Sequence, residues 1–307
     1  MLIDPLFPAS RPRFVRQMVV GEGHMLYIEE CAAVDGLPVV FLHGGPGSGC
    51  SPNQRRLFDP ARYRAILVDQ RGCGRSRPLG NTQANTTAHL VADLEYLRQA
   101  LGISRWLVFG GSWGALLALA YAQTYPQNVL GLVLRGIFLG SHEEINAYAL
   151  DAAKNAALPA VIDSDNALAP WLAAVMSQEP QQALPAIRAW LDYERSLMGE
   201  APLAEVPDAN QIAKVRLQMH YLANDCFLQP GQLLAGIDPL RHLPAAIVQG
   251  LADPVCPPVI AESLHQAWPE AHWWPVAGGG HGALTPPIAQ ACIDALAWVA
   301  AANGGRQ

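Results

Sequence analysis

The stretch Gly110-Gly111-Ser112-Trp113-Gly114 constrains this chain more than any other. It lies between a continuous apolar run at 105–109 (RWLVF) and a helix-like run at 115–126 (ALLALAYAQTYP). The first run has the form of a strand covered on both faces. The chain must therefore pass from buried strand to helix within five residues. Glycines at 110 and 114 let such a turn close tightly while the serine side chain projects outward. A helix N-terminus beneath Ser112 favours negative charge developing nearby. The segment reads as a nucleophile elbow. The plainer alternative is a glycine-rich strand-to-helix turn in which the serine only caps the helix.

The rest of the chain repeats this alternation. Residues 16–20 and 25–31 form an expected antiparallel pair with a turn at 21–23. Runs at 38–42 (PVVFL), 63–69 (YRAILVD), 129–134 (VLGLVL), 245–251 (AAIVQGL) and 272–277 (HWWPVA) have the form of further strands. Between them, residues 87–101 place leucines at 90, 94, 97 and 101, a helical spacing, with Thr86 or Thr87 as N-cap. A last helix falls within 288–301. This order predicts an α/β protein with a mostly parallel central sheet and helices on both faces. From about 140 to 238 the strand-like runs vanish, and Ala, Leu, Gln and Trp recur at helical spacings, punctuated by Pro159, Pro170, Pro180, Pro185, Pro202 and Pro207. The expected organisation is a core at 1–139, an inserted helical cap at 140–238 and the remainder of the core at 239–307. The cap would sit over the strands' C-terminal ends, where such folds bind ligands.

Composition excludes several functions. Hydrophobic residues make up 51% of the 307 and charged residues 15%, enough for a large core and incompatible with a disordered chain. The net charge of −6 comes with no basic patch, so nucleic acid and anionic membrane surfaces are not expected partners. Apolar stretches stay below membrane-spanning length, and the first residues carry no export-signal run. The six cysteines form no CxxC pair and read as free thiols, which together predicts a cytoplasmic enzyme. Nine dispersed histidines, with no HxxxH or HExxH, imply no metal, and acyl transfer by a serine needs no cofactor. Nothing in the sequence sets the number of subunits.

A nucleophilic serine needs a base, and after such an elbow the chain order is serine, acid, histidine. Asp253 follows the run at 245–251 within two residues, and His281 follows the run at 272–277 inside Gly278-Gly279-Gly280-His281-Gly282. Both lie at strand C-terminal ends, on the rim that carries Ser112. His281 would take the serine proton and return it to the leaving group; Asp253 would hold the imidazole tautomer. A loop histidine and a turn-forming Asp-Pro are the ordinary alternatives, and Asp238, which precedes its strand, is the weaker rival acid. His43-Gly44-Gly45-Pro46-Gly47 follows the strand at 38–42 and can turn backbone N–H groups toward a reacting carbonyl, with Trp113 N–H as the second donor. A mobile turn is the alternative; a phosphate loop would need GK[ST] or GxGxxG, which the segment lacks. His43 reads as a loop brace.

With HGGPG at 43–47, DQRGCGRS at 69–76 and GGSWG at 110–114, the chain resembles the proline iminopeptidases, α/β-hydrolases that remove an N-terminal proline from peptides. The resemblance implies the α/β-hydrolase fold and the triad Ser112, Asp253, His281. It implies oxyanion donors at Gly45 and Trp113, with Gly44 the alternative to Gly45. It gives Asp69 and Arg71 the task of holding loops at the sheet edge, against the alternative of a solvated ion pair. In the substrate pocket it places Arg135, Phe138 and Tyr148, and makes Glu194 a carboxylate that receives the substrate's free amine, against the alternative of a helix-surface charge near Arg195. Cys256, three residues after Asp253, falls near the active site, where it would confer sensitivity to bulky thiol reagents; an inert buried thiol is the alternative. Three positions depart from the family pattern: Gln218 stands where a second carboxylate is usual, Leu222 where an aromatic lines the proline slot, and Tyr193 where a tryptophan precedes the glutamate. The first removes charge complementarity to an ammonium; the second widens the slot. The expected activity is release of an N-terminal residue, preferably proline, from short peptides, amides or arylamides through an acyl-enzyme. The alternatives are an amidase or esterase for small hydrophobic acyl groups, and a non-catalytic binding protein of the same fold.

Overall fold

The computed structural model describes residues 4–155, 163 and 165–304. At its centre is an eight-stranded sheet in the order β1-β2-β4-β3-β5-β6-β7-β8. The strands are β1 (Phe14–Gly21), β2 (His24–Ala32), β3 (Leu37–Leu42), β4 (Tyr63–Asp69), β5 (Trp106–Ser112), β6 (Val129–Ile137), β7 (Ala245–Gly250) and β8 (His272–Val276). β2 pairs antiparallel with β1 and β4; every pair from β4 through β8 is parallel.

The continuous apolar runs have a physical reason. Side chains alternate across a strand, and here both faces are buried. Val39 and Phe41 belong to one core cluster and Val40 and Leu42 to the other; Leu107 and Phe109 are divided in the same way from Trp106 and Val108. Helix α1 (Thr87–Ala100) and helix α2 (Trp113–Thr124) cover one face. The C-terminal helix, which spans Pro286–Gly304, covers the other through Ile288, Cys292, Leu296 and Val299. α2 is buried on every side from Trp113 to Ala122, as expected of a helix wedged between sheet and further helices. Thr86 is the N-cap of α1, its hydroxyl accepting from His89 N. β5 runs on to Ser112 and β6 to Ile137, well past their expected ends, because the elbow residues still pair with β6, with a register shift between Gly111 and Ser112.

Between β6 and β7 the described residues form helices, among them α3 (His142–Asn155), α4 (Leu168–Val175), α5 (Pro180–Leu197) and α6 (Ala209–Leu222). Pro170 and Pro185 do not end helices as the sequence suggested; they lie inside α4 and α5. Pro170 is in a first turn, where its N–H would have no helical partner anyway. At Pro185 one backbone bond is given up in a helix that buries Ile187, Trp190 and Tyr193. Pro159 lies outside the described residues. Among the described residues no helix is long and apolar enough to cross a membrane.

Candidate active site

Ser112 ends β5 and precedes α2, with φ 56° and ψ −126°. A left-handed backbone at a non-glycine residue is costly and persists only where surroundings impose it. Its neighbours explain how this turn is enforced. A Cβ at Gly110 would strike the Gly114 carbonyl, and one at Gly114 would strike the Leu42 carbonyl. β3, β5 and α2 therefore meet without side chains between them, and the serine is left facing a cavity. Gly44, in the loop after β3, lies against it: a Cβ there would be 3.4 Å from Ser112 Cβ. The next residue, Gly45, has φ +120°, and a side chain on it would meet Gly47 N at 2.6 Å.

His281 and Asp253 come together from the loops after β8 and β7. The ring Nδ1 lies 2.8 Å from Asp253 Oδ2, while Oδ1 accepts the backbone N–H of Val255 and of Cys256, each at 2.9 Å. Burial alone would raise the Asp253 carboxyl; the hydrogen bond and charge of His281, with the two N–H groups, outweigh it and hold the pKa below its ordinary value. Burial lowers the His281 pKa, opposed by its bond to Asp253 and assisted by the charge of Arg135. An ionised carboxylate can only accept, so Nδ1 carries the ring hydrogen and Nε2 is left as a base. Gly136, with φ +55°, makes room for the pair: a Cβ there would be 3.3 Å from Asp253 Oδ2 and 3.4 Å from His281 Nδ1.

Ser112 and His281 line the same cavity of about 1180 Å3. The Ser112 hydroxyl faces Cys256 Sγ at 3.8 Å and is not hydrogen-bonded to the imidazole.

An α/β hydrolase fold family matches residues 38–285. A proline iminopeptidase of Neisseria meningitidis serogroup B is 41% identical over 303 residues, covering 95% of this chain and 97% of that protein. Another from Xylella fastidiosa is 40% identical over 307 residues, covering 95% and 96%. The chain belongs to the proline iminopeptidase family of α/β-hydrolases. It is thus an enzyme, a serine hydrolase of the aminopeptidase type. Two solved structures share its fold: a proline iminopeptidase-related protein of Thermus thermophilus (24% identity, TM-score 0.64, 95% of this chain and 100% of that one) and a proline iminopeptidase of Mycobacterium smegmatis (21%, 0.63, 96% and 100%).

In this family member the residues singled out for substrate contact share that cavity. Arg135, Phe138 and Tyr148 line one part; Glu194, Gln218, Leu222 and Cys256 line others, together with Gly44 and Gly45. Trp113 and Asp253 lie behind its wall, at 0% and 5% exposure. Arg135 donates to the His281 carbonyl at 2.9 Å, and its guanidinium fills the space a Gly111 side chain would need. Tyr148 packs edge-on against Trp190 and Tyr193. Cys256 is buried, and burial pushes its thiol well above the ordinary range.

Asp69 and Arg71 hold loops, but not by pairing with each other. Arg71 pairs with buried Asp93 at 2.6 Å, and Asp69 pairs with Arg75 at 2.8 Å while accepting Cys50 N–H at 2.7 Å. His43 is fully buried; its Nε2 accepts Gln70 N–H at 3.1 Å, and burial lowers its pKa, so it is a neutral brace. Gln70 escaped the sequence reading. Its side chain accepts the Trp113 indole N–H at 2.8 Å and donates to the His43 carbonyl at 3.0 Å, tying the glycine loop to the elbow helix. Its position directly after Asp69 was its only signal. Lys214 was missed as well: its Nζ lies 2.7 Å from Glu194 Oε2.

Proposed function

We propose that this enzyme releases an N-terminal residue, preferably proline, from short peptides, amino-acid amides or arylamides through an acyl-enzyme on Ser112. One observation carries the reading: a serine on a strained elbow, an imidazole oriented by a buried carboxylate, and Glu194 share one cavity. In this mechanism His281 Nε2 removes the Ser112 proton as Oγ attacks the carbonyl, and His281 then protonates the leaving amine. The backbone N–H groups of Trp113 and Gly45 stabilise the oxyanion, and Gly44 brings that loop close enough to do so. Water, activated by the same imidazole, then hydrolyses the ester. Residues 140–238 act as a cap that admits small substrates, Glu194 receives the free amine, and Phe138, Tyr148 and Leu222 hold the side-chain ring. Free thiols at all six cysteines support action in a reducing compartment such as the cytoplasm.

Comparing a prolyl arylamide with its N-acylated form tests the assignment. Nearly all activity should vanish on the blocked compound, and equal rates on both would remove the aminopeptidase reading. A second reading, an amidase or esterase with no strict need for a free amine, draws support from Gln218 and Leu222, and from Glu194 being engaged already by Lys214 and Gln218.

A further inference from the structure

Glu194 on α5 carries two internal partners from α6. Oε2 binds Lys214 Nζ at 2.7 Å, and Oε1 accepts Gln218 Nε2 at 2.6 Å. The Glu194 and Lys214 side chains are 17% and 25% exposed, and both residues line the active-site cavity. The Gln218 amide has one sensible orientation. Its oxygen takes the indole N–H of Trp190 at 3.2 Å, while its nitrogen reaches two acceptors, Glu194 and the Gly45 carbonyl at 3.3 Å. α6 is seated directly on the glycine loop: a Cβ on Gly47 would lie 3.1 Å from Lys214 Cα. The cluster is therefore anchored beside the reacting centre, on the wall to which the proposed function assigns the substrate's α-nitrogen.

Charge decides what this wall can bind. Glu194 contributes one negative charge and Lys214 one positive charge a hydrogen bond away. An ammonium approaching Glu194 would gain from the carboxylate and lose a comparable amount to the lysine. A neutral amine meets neither conflict, because its N–H can go to Glu194 while its lone pair takes a hydrogen from Lys214. We infer that Lys214 makes this enzyme select substrates with the α-nitrogen unprotonated, Lys214 donating to that nitrogen and Glu194 accepting from it. The inference rests on the aminopeptidase reading of the site.

The consequence is a limb in the pH profile that belongs to the substrate. An α-amine titrates near pH ~8, so kcat/KM should climb about tenfold per pH unit below that value and level off above it. The other titratable or charged groups facing this space are Tyr148, Asp151, Glu143 and Glu144 from α3, Tyr193 from α5, Glu200 beyond it, Arg135 from β6, Cys256 and His281. A limb owned by any of them would stay in place when the substrate changes.

The experiment measures kcat/KM from about pH 6 to about pH 10 for two prolyl-type arylamides whose amine pKa values differ by roughly two units, fluorination of the ring lowering one of them. The cyclopentane analogue without nitrogen is included, and all are run on wild type, Lys214→Met and Lys214→Gln. The limb should move by the same two units with the substrate. Either variant should flatten it and raise kcat/KM at the acid end by about tenfold or more, through KM. A limb fixed for both amines, or acid-end values unchanged in both variants, would overturn the inference while an enzyme inert to the cyclopentane analogue keeps its aminopeptidase reading. Hydrolysis of that analogue as fast as the amines at every pH would overturn both.

Discussion

Replacing Asp253 by Asn tests whether the imidazole's tautomer, beyond its position, carries the activity. The carboxylate receives the Nδ1 hydrogen of His281 on Oδ2 and the backbone N–H groups of Val255 and Cys256 on Oδ1. Asparagine has one acceptor oxygen and one donor NH2. Two fixed backbone donors against one ring decide how it turns. With its oxygen kept toward Val255 and Cys256, the NH2 faces His281. The opposite orientation strands two N–H groups against a donor, where residue 253 is only 5% exposed, at about 1–3 kcal/mol for each. Facing an NH2, Nδ1 must become the acceptor, and the ring hydrogen moves to Nε2, the atom that takes the Ser112 proton in the proposed mechanism. The expected loss in kcat is about 10^4-fold, or about 5.4 kcal/mol at the transition state. KM should change little, because Asp253 does not line the cavity. Steady-state hydrolysis of a chromogenic prolyl arylamide, alongside a circular-dichroism melt to establish that the variant is folded, measures both. A folded Asp253→Asn enzyme with kcat within about tenfold of wild type would refute the tautomer argument.

Three further outcomes are expected. Gly136→Ala puts a methyl group 3.3 Å from Asp253 Oδ2 at φ +55°; it should lower stability by about 1–2 kcal/mol and reduce kcat more than it changes KM, and an unaltered kcat would contradict the view that Gly136 spaces the acid–imidazole pair. Cys256 lies 3.8 Å from Ser112 Oγ with its thiol pushed up by burial, so a bulky maleimide should inactivate slowly at neutral pH and Cys256→Ser should resist; equal inactivation of the two proteins would sink the idea. Burial lowers the pKa of both His43 and His281, whereas the unfolded chain titrates them near ~6.5, so below that pH the unfolded state binds more protons. Their stabilisation is complete above ~6.5 and falls with decreasing pH by up to ~1.4 kcal/mol per unit for each. Urea unfolding from about pH 8 down to about pH 5 reads this slope, and a flat profile would contradict the neutral assignment.

What could be read in the sequence was whatever a short window encodes. The elbow is strand, turn and helix in direct succession, so the apolar run at 105–109, the glycines at 110 and 114 and the helical run after them expose Ser112 without reference to the rest of the molecule. The parallel sheet was legible for a similar reason: Val39 and Phe41 are buried on one face while Val40 and Leu42 are buried on the other, which leaves an uninterrupted apolar run. Asp253 and His281 could be proposed because each directly follows a strand, and strand ends converge on one rim. Proline positions misled between β6 and β7, where packing of Trp190 and Tyr193 keeps α5 helical through Pro185.

Only tertiary structure decided the pairings between distant segments. That Arg71 reaches Asp93 and not Asp69, that Gln70 joins His43 to Trp113, and that Gly136 lies against the acid and the imidazole all depend on register and on how helices are rotated about the sheet. Above all, Lys214 and Glu194 stand 20 residues apart on different helices; Lys214 reads alone as a solvated surface charge, and so does Glu194 without the family resemblance. It is the packing of α6 on α5 and on the Gly47 loop that turns them together into the cavity that Ser112 and His281 line.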